Sequence, residues 1–236
     1  MSMPDPASRQ RRQPAPIVRS GGPAPDLTGF TVVHRAMLAD LRRLAGAAAR
    51  LAADPAALGR EQAIAIRDYL EQLCDEIHQH HSREDEVLRP LIVASAGAAV
   101  DLIPFSYDYT ALSPIVDRVH AAARALPADP ARVIGEFADG LAGLRDLMHE
   151  HISAEERDVF PIIDRYVSAA DFHAAEQQMT KGISFSHIRW LTPWVESFAT
   201  SAEMRHMLSR APLPFRVLLA LSRRRYAALE RRVFGS

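Results

Sequence analysis

The sequence predicts an all-α protein in which amphipathic helices pack around a shared core. Along several long segments, apolar residues recur at alternating steps of three and four, which is the spacing of a buried helix face. No segment alternates apolar and polar residues as a half-buried strand would. The composition agrees, because 48% of the 236 residues are hydrophobic and only 7% are aromatic, as in alanine- and leucine-rich helical proteins.

Helix-breaking residues divide the chain into segments. Residues 1–27 hold six prolines and no apolar run, which predicts a disordered arm and not a signal peptide. Asp54-Pro55, the region of Gly97 and Asp129-Pro130 separate the segments that follow. Four helices are predicted at about 28–52, 60–95, 106–126 and 131–167.

The first predicted helix carries a histidine on its apolar face. That face reads Phe30, His34, Met37, Leu41, Leu44, Ala48 and Leu51. A single histidine on such a face is most often a core residue with a hydrogen-bond partner. His34 becomes a candidate metal ligand because two of the other helices carry similar residues.

The second and fourth helices repeat one motif. His80 precedes Glu84 by four residues and Pro90 by ten, and His151 precedes Glu155 and Pro161 by the same steps. Residues four apart on a helix lie on one face, so each pair can present an imidazole nitrogen and carboxylate oxygens to one point. The two apolar faces that contain the pairs read Ile66, Leu70, Leu73, Ile77, His80, Glu84, Val87 and Phe137, Leu141, Leu144, Met148, His151, Glu155, Asp158, Ile162.

Carboxylates on an apolar face need a compensating partner, because a buried charge must pair, bind metal or become neutral. The alternative is that both pairs are exposed surface pairs worth about 0.2–0.5 kcal/mol each. Exposed pairs give no reason for the shared proline spacing or for the position on the apolar face. We therefore interpret His34, His80, Glu84, His151 and Glu155 as metal ligands.

The third helix has no histidine at the corresponding place. Its apolar face begins with Tyr109, five residues before Pro114, and continues through Leu112, Val116, Val119, Ala123 and Leu126.

The order of these residues resembles the hemerythrin-like family of HHE cation-binding domains, especially its actinobacterial branch. The resemblance covers roughly residues 28–168 and is carried by the two HxxxE motifs, each followed by proline. It implies an up-down four-helix bundle that holds two non-haem iron ions, with an oxo or hydroxo bridge and with Glu84 and Glu155 as bridging carboxylates. Residues 169–236 would then form a C-terminal helical extension.

Tyr109 departs from the family pattern, which has histidine there, and two interpretations stay open. As a phenolate, Tyr109 would bind iron and favour its ferric state, since the metal must lower a phenol pKa that is normally near 10. Alternatively, its hydroxyl forms a hydrogen bond near the metals and one iron has an additional open position.

Other polar residues near the motifs receive weaker assignments. His81 lies off the strict apolar face and is the best substitute for His80. Asp85 and Glu156, which follow the ligand carboxylates, are better placed as hydrogen-bond acceptors behind the ligands. His187 begins an apolar segment and is a further candidate ligand, although a structural role is favoured.

The tail contains two further predicted helices, Ile188–Phe198 and Pro212–Phe234. The second is basic around Arg223–Arg225, and such a helix can lie on a membrane, bind a partner or cover the bundle. Covering the bundle is the favoured role, with Trp190 and Trp194 as packing anchors.

Charge and cysteine content exclude several functional classes. With 28 basic and 29 acidic residues, no net positive field favours nucleic-acid binding. A single cysteine, Cys74, excludes disulfide frameworks and iron–sulfur clusters within one chain and is consistent with a reducing cytoplasm. No apolar run reaches the ~18 residues needed to span a bilayer. We expect a cytoplasmic monomer without stable membrane insertion.

The functional hypotheses all depend on the metal site. The first is a di-iron protein that binds or reacts with dioxygen or peroxide, including catalase-like peroxide breakdown. The alternatives are a sensor of dioxygen or nitric oxide, an iron sensor or store, and a structural metal site.

Two other kinds of metal site do not fit the sequence. A ferritin-like site is disfavoured because its motif, Glu203-x-x-His206, occurs only once. A zincin is excluded because Ser153 replaces the second histidine after His149-Glu150.

Overall fold

The structure is a computed structural model that describes residues 22–97, 109–211 and 213–235, and the regular elements in these ranges are all helical. The all-α prediction is therefore confirmed for this part of the chain. Most of the predicted disordered arm, and the predicted start of the third helix at 106, lie outside these ranges. In the described residues, no helix combines the length and apolarity needed to cross a membrane.

Four long helices form the bundle, and shorter helices continue or cover it. In chain order the elements are α1 (Thr28–Ala53), α2 (Arg60–Arg83), α3 (Arg89–Ala96), α4 (Tyr109–Ala125), α5 (Pro130–Asp158), α6 (Phe160–Tyr166), α7 (Ala169–Met179), α8 (Phe185–Phe198), α9 (Ser201–Arg210) and α10 (Leu213–Phe234). A short 3₁₀ turn occupies Pro55–Ala57, and a π-helical turn, Glu84–Leu88, joins α2 to α3.

Helix-breaking residues end or begin helices at the predicted positions. Gly97 ends α3 with φ +56°, a left-handed conformation that glycine adopts without steric cost. Asp129 caps α5 by accepting a hydrogen bond from the Arg132 amide at 3.4 Å, and Pro130 occupies the first turn. Together α2, the π-helical turn and α3 cover the predicted range 60–95, and α5 and α6 cover the predicted range 131–167 to within one residue, with an interruption at Val159 that the sequence analysis does not predict.

The bundle core lies between α1, α2, α4 and α5, where α5 packs against α1 and α4, and α4 packs against α2. Glycines permit a close approach of α4 and α5. A Cβ at Gly143 would lie 2.9 Å from Ile115 Cδ1, and one at Gly140 would lie 3.1 Å from Val119 Cγ2.

A second, smaller apolar cluster closes one end of the bundle. It includes Leu88 and Ile92 after the first motif, Val159 and Ile163 after the second, and Phe172 of α7. Along both α2 and α5 the motif residues lie between the main core and this smaller cluster.

The apolar face shifts by one residue after each motif. The sequence predicts Val87, Asp158 and Ile162 on the buried face, whereas the structure buries Leu88, Val159 and Ile163. The π-helical turn accounts for the first shift, because each of its hydrogen bonds spans one more residue than an α-helical bond. Pro90 and Pro161 have no amide hydrogen to continue the α-helical ladder, which favours an irregular turn at both places.

The C-terminal helices α8 and α10 pack on α1 and α2. Trp194 is fully buried, and its Nε1 donates to Asp40 Oδ2 at 3.1 Å. Tyr69 donates to the same oxygen at 2.7 Å, and its hydroxyl lies 3.0 Å from that of Tyr226 on α10. Trp190 stacks on Trp194 with a centroid distance of 5.0 Å, which agrees with the predicted role of both tryptophans as packing anchors.

Candidate metal centre

Three helices and the π-helical turn bring together two groups of metal-ligating side chains. The first group contains His34, His80, Glu84 and Glu155, and the second contains His81, Glu84 and His151. Within each group, one ligand atom of every residue lies within 4.8 Å of the others. Since Glu84 belongs to both groups, the two groups are adjacent.

The first group joins α1, α2 and α5. His34 Nε2 lies 3.0 Å from His80 Nε2 and 3.5 Å from Glu155 Oε2. His80 Nε2 lies 2.9 Å from Glu84 Oε1, so the HxxxE spacing does place both side chains at one point. The structure therefore brings together four of the predicted ligands.

The second group joins α2 to α5. His81 Nε2 lies 2.9 Å from His151 Nε2, and His151 Nε2 lies 4.0 Å from Glu155 Oε2. His81 Nδ1 donates to the Ile77 carbonyl at 2.7 Å. In the neutral ring this hydrogen bond leaves the Nε2 lone pair directed at the group.

His34 is oriented by a carboxylate behind it. Its Nδ1 lies 3.0 Å from Glu156 Oε1, and because a carboxylate accepts, Nδ1 carries the hydrogen and Nε2 carries the lone pair. Histidine ligands of metals usually make this kind of outer hydrogen bond. The acceptor role predicted for Glu156 is confirmed, whereas that of Asp85 is wrong, because its half-exposed carboxylate pairs with Arg89.

The ligand atoms satisfy two requirements for metal binding. Glu84 Oε1 and Glu155 Oε2 are buried and accept no well-aligned hydrogen bond among the described residues, although His80 Nε2 lies 2.9 Å from Glu84 Oε1. Nitrogens held on one ion by bonds of about 2.1 Å at a right angle would be separated by roughly 3.0 Å. The observed separations of the two Nε2 pairs, 3.0 and 2.9 Å, match this value.

The shifted pKa values of the candidate ligands also favour the binding of a cation. Burial raises the pKa of Glu84 to about 7, and burial together with the Glu84 charge raises that of Glu155 to about 8. Burial also lowers the pKa of His80, and it lowers that of His81 to about 3. At neutral pH these two imidazoles are neutral and able to bind metal, and a cation between the two carboxyl groups would favour their joint ionisation.

Aromatic rings surround the first group. The His34 ring stacks on Phe160 at 5.6 Å, and Phe30 lies 6.2 Å from the His34 ring and 5.9 Å from the His80 ring. Phe30 in turn contacts the buried Phe172 of α7. These rings limit the access of water to the first group from the α6–α7 side.

Tyr109 is the first residue of α4. Its side chain lies outside the described part of the structure, so its role as a ligand stays a prediction.

The structure does not bring His187 into either group. Its Nε2 lies 2.6 Å from Glu76 Oε2, and both side chains are buried. Glu76 precedes His80 by one helical turn, so His187 links α8 to α2 beside the site. This contact agrees with the structural role that the sequence favoured over metal binding.

His81 is the residue that sequence reasoning left out of the ligand set. A regular helix places it about 100° away from His80, yet both side chains are buried in the structure. The signal in the sequence is the adjacent pair His80-His81 together with a third helix that carries Tyr109 instead of histidine at the start of its apolar face.

Comparison with known proteins identifies one family. Residues 27–163, more than half of the chain, match the model of the hemerythrin HHE cation-binding domain. No curated protein and no solved structure matches the chain.

Proposed function

The chain belongs to the hemerythrin HHE cation-binding domain family, and from this we propose that it binds two iron ions and reacts there with dioxygen- or peroxide-type oxidants. The observation that carries the proposal is the pair of ligand groups. Each group contains two facing Nε2 atoms about 3 Å apart, and the groups share Glu84.

We assign one ion to each group. His34, His80 and Glu155 would hold the first ion, and His81 and His151 would hold the second, with Glu84 contributing to both. Glu155 Oε2 lies 3.5 Å from His34 Nε2 and 4.0 Å from His151 Nε2, so this carboxylate is also close to both groups. Of these two carboxylates, Glu84 alone belongs to both groups, and it is the bridging residue that we propose.

The two groups are unequal, and this inequality indicates where a small ligand would bind. The first group has four protein residues and the second has three. An ion that prefers six ligands keeps more open positions in the second group. Whether Tyr109 fills one of them decides how many of these positions remain for a small molecule.

Iron bound here would supply a Lewis-acidic, redox-active centre for a small oxidant. The protein residues would fix the ligands and exclude water. Glu156 and the Ile77 carbonyl orient His34 and His81, and the Phe30 and Phe160 rings limit access to His34.

Metal analysis, visible spectroscopy and peroxide titration of purified protein test the proposal together. We expect two irons per chain and dioxygen release in the ratio of one O₂ for two peroxide molecules. Two irons without gas release would favour the non-catalytic alternative, a sensor or store. Absence of iron after reconstitution with ferrous salt would overturn the proposal.

The variant Tyr109→Phe tests the remaining ligand. An intense visible absorption that disappears in this variant would identify phenolate bound to ferric iron. An unchanged spectrum would exclude Tyr109 from the iron ligands and leave the rest of the proposal intact.

A further inference from the structure

The last helix, α10, has an outward face that the bundle does not use. Leu219, Ser222, Tyr226 and Val233 are buried and define the inner face of the helix. Leu213, Val217 and Leu221 follow one another at steps of four on the opposite side. These residues are 70%, 52% and 72% exposed, respectively.

The same helix concentrates positive charge. It contains the single acidic residue Glu230 and six exposed arginines: Arg216, Arg223, Arg224, Arg225, Arg231 and Arg232. Glu230 pairs with Arg43 of α1 at 2.6 Å, and Arg223 pairs with Glu196 of α8. Among the described residues the other five arginines form no ion pair, although the whole chain has a net charge of −1.

The apolar and basic residues share one side of α10. Val217, Arg224 and Arg231 are spaced by seven residues, so the exposed stripe is apolar in its first half and basic in its second. Arg216 and Arg225 flank the stripe. A helix with exposed leucine and valine side chains among unpaired arginines is suited to the boundary between lipid headgroups and acyl chains.

We propose that the outward face of α10 docks on an anionic lipid bilayer surface without spanning it. The arginines complement anionic headgroups, and Leu213, Val217 and Leu221 enter the boundary with the acyl chains. A second copy of the chain is a poor occupant, because two overlapping α10 faces would bring arginines against arginines in a parallel pair and against apolar side chains in an antiparallel pair. Nucleic acid would match the arginines but would leave the three apolar side chains in water.

Vesicle co-sedimentation of the full-length protein tests the proposal. We expect binding to vesicles of phosphatidylcholine mixed with phosphatidylglycerol, and little binding to phosphatidylcholine alone. Binding should weaken as salt is raised, because salt screens the arginines. Absence of binding to the anionic vesicles, or equal binding to both kinds, would overturn the proposal.

Paired variants separate the apolar contribution from the charge. Val217→Asp/Leu221→Asp should lower the partition coefficient by about tenfold or more, whereas Val93→Asp, at a 45% exposed valine of α3, should not. Arg224→Glu/Arg225→Glu should abolish binding, and Arg118→Glu/Arg124→Glu on α4 is its control.

Two further measurements test whether a loss of vesicle binding has another cause and whether the basic face binds nucleic acid instead. Circular dichroism and iron content of every variant show whether the fold and metal site persist, and neither depends on lipid. Salt-dependent binding to duplex DNA that survives Val217→Asp/Leu221→Asp, without vesicle binding, would assign the basic face to nucleic acid and overturn the lipid proposal.

Discussion

Glu84 is the carboxylate that lies in both ligand groups, and its Oε1 has no other partner among the described residues. We expect Glu84→Gln to abolish binding of the iron pair, because the amide is a weaker ligand and cannot supply negative charge to both ions. Iron analysis after reconstitution measures the effect. Glu86→Gln, at an exposed position of the same turn, is the matched control, and two irons in Glu84→Gln would contradict the assignment.

His81 provides a second prediction at the residue scale. Because His81 faces His151 in the second group and makes no contribution to the first, we expect His81→Ala to lower the iron content from about two to about one per chain. His78→Ala changes a more exposed histidine of the same helix and should retain both ions. Equal iron content in the two variants would remove His81 from the ligand set.

The buried carboxyl groups predict a pH dependence of the metal-free protein. Burial raises the pKa of Glu84 to about 7 and of Glu155 to about 8, from an ordinary value of 4.5. Between the ordinary value and the raised values, the folded state retains protons that the unfolded state releases. The free energy of unfolding therefore falls as pH rises through this range. Above about pH 7, His80 and His81 oppose this little, because they are neutral in the folded state and, beyond their ordinary pKa of 6.5, in the unfolded state as well.

We therefore expect the Tm of chelator-treated protein to fall between pH 6.5 and 8.5. Bound metal should remove this dependence, because it holds both carboxylates in the ionised form. Glu84→Gln/Glu155→Gln is the control and should show a flatter profile without metal. A Tm that rises over this interval would contradict the burial of the two carboxyl groups.

At the scale of elements, the π-helical turn between α2 and α3 is the feature that positions Glu84. Pro90 disfavours a continuous α-helix there, and an interior proline typically costs about 3 kcal/mol. We expect Pro90→Ala to raise the Tm of the metal-free protein and to weaken iron binding by about tenfold or more. Pro114→Ala, inside α4, should raise the Tm without changing iron affinity, and the same result for Pro90→Ala would show that the turn does not serve the site.

The helices themselves were accessible from sequence because apolar spacing and helix breakers are local properties. Asp129-Pro130 and Gly97 mark boundaries that the structure reproduces. The sequence does not predict which residues are buried after each motif. A constant helical period does not include the one-residue shift that buries Leu88 and Val159. The burial of His81 beside His80 was missed for a related reason, since a strict period admits only one of two adjacent residues to the buried face.

At the scale of the whole molecule, the long-range polar contacts were also beyond sequence reasoning. Asp40 receives hydrogen bonds from Tyr69 and from Trp194, which lies 154 positions further along the chain. Burial raises the pKa of Asp40 to about 6. No periodic pattern indicates which buried carboxylate will meet which indole, because that pairing depends on how the C-terminal helices pack on the bundle.

Metal removal should affect the stability of the entire fold. A ligand that binds only the folded state stabilises it in proportion to the logarithm of its concentration over its Kd, and without metal the ionisation of the two buried carboxyl groups is unfavourable. We expect chelation to lower the Tm by several degrees and readdition of ferrous iron to restore it. Glu84→Gln/Glu155→Gln, which should not bind the pair, should show no response to chelator. An unchanged Tm in the unmodified protein would mean that the ions contribute nothing to folding.

Helix α1 carries His34 toward the ligand groups and, six residues later, Asp40 toward Trp194 and Tyr69. These positions are about 9 Å apart along one stiff rod, so a displacement that separates His34 from His80 also strains the hydrogen bonds of Asp40. Separation of the residues of the two ligand groups and detachment of the C-terminal helices should therefore occur together, in one cooperative unfolding transition. A calorimetric trace of the loaded protein would then show a single peak.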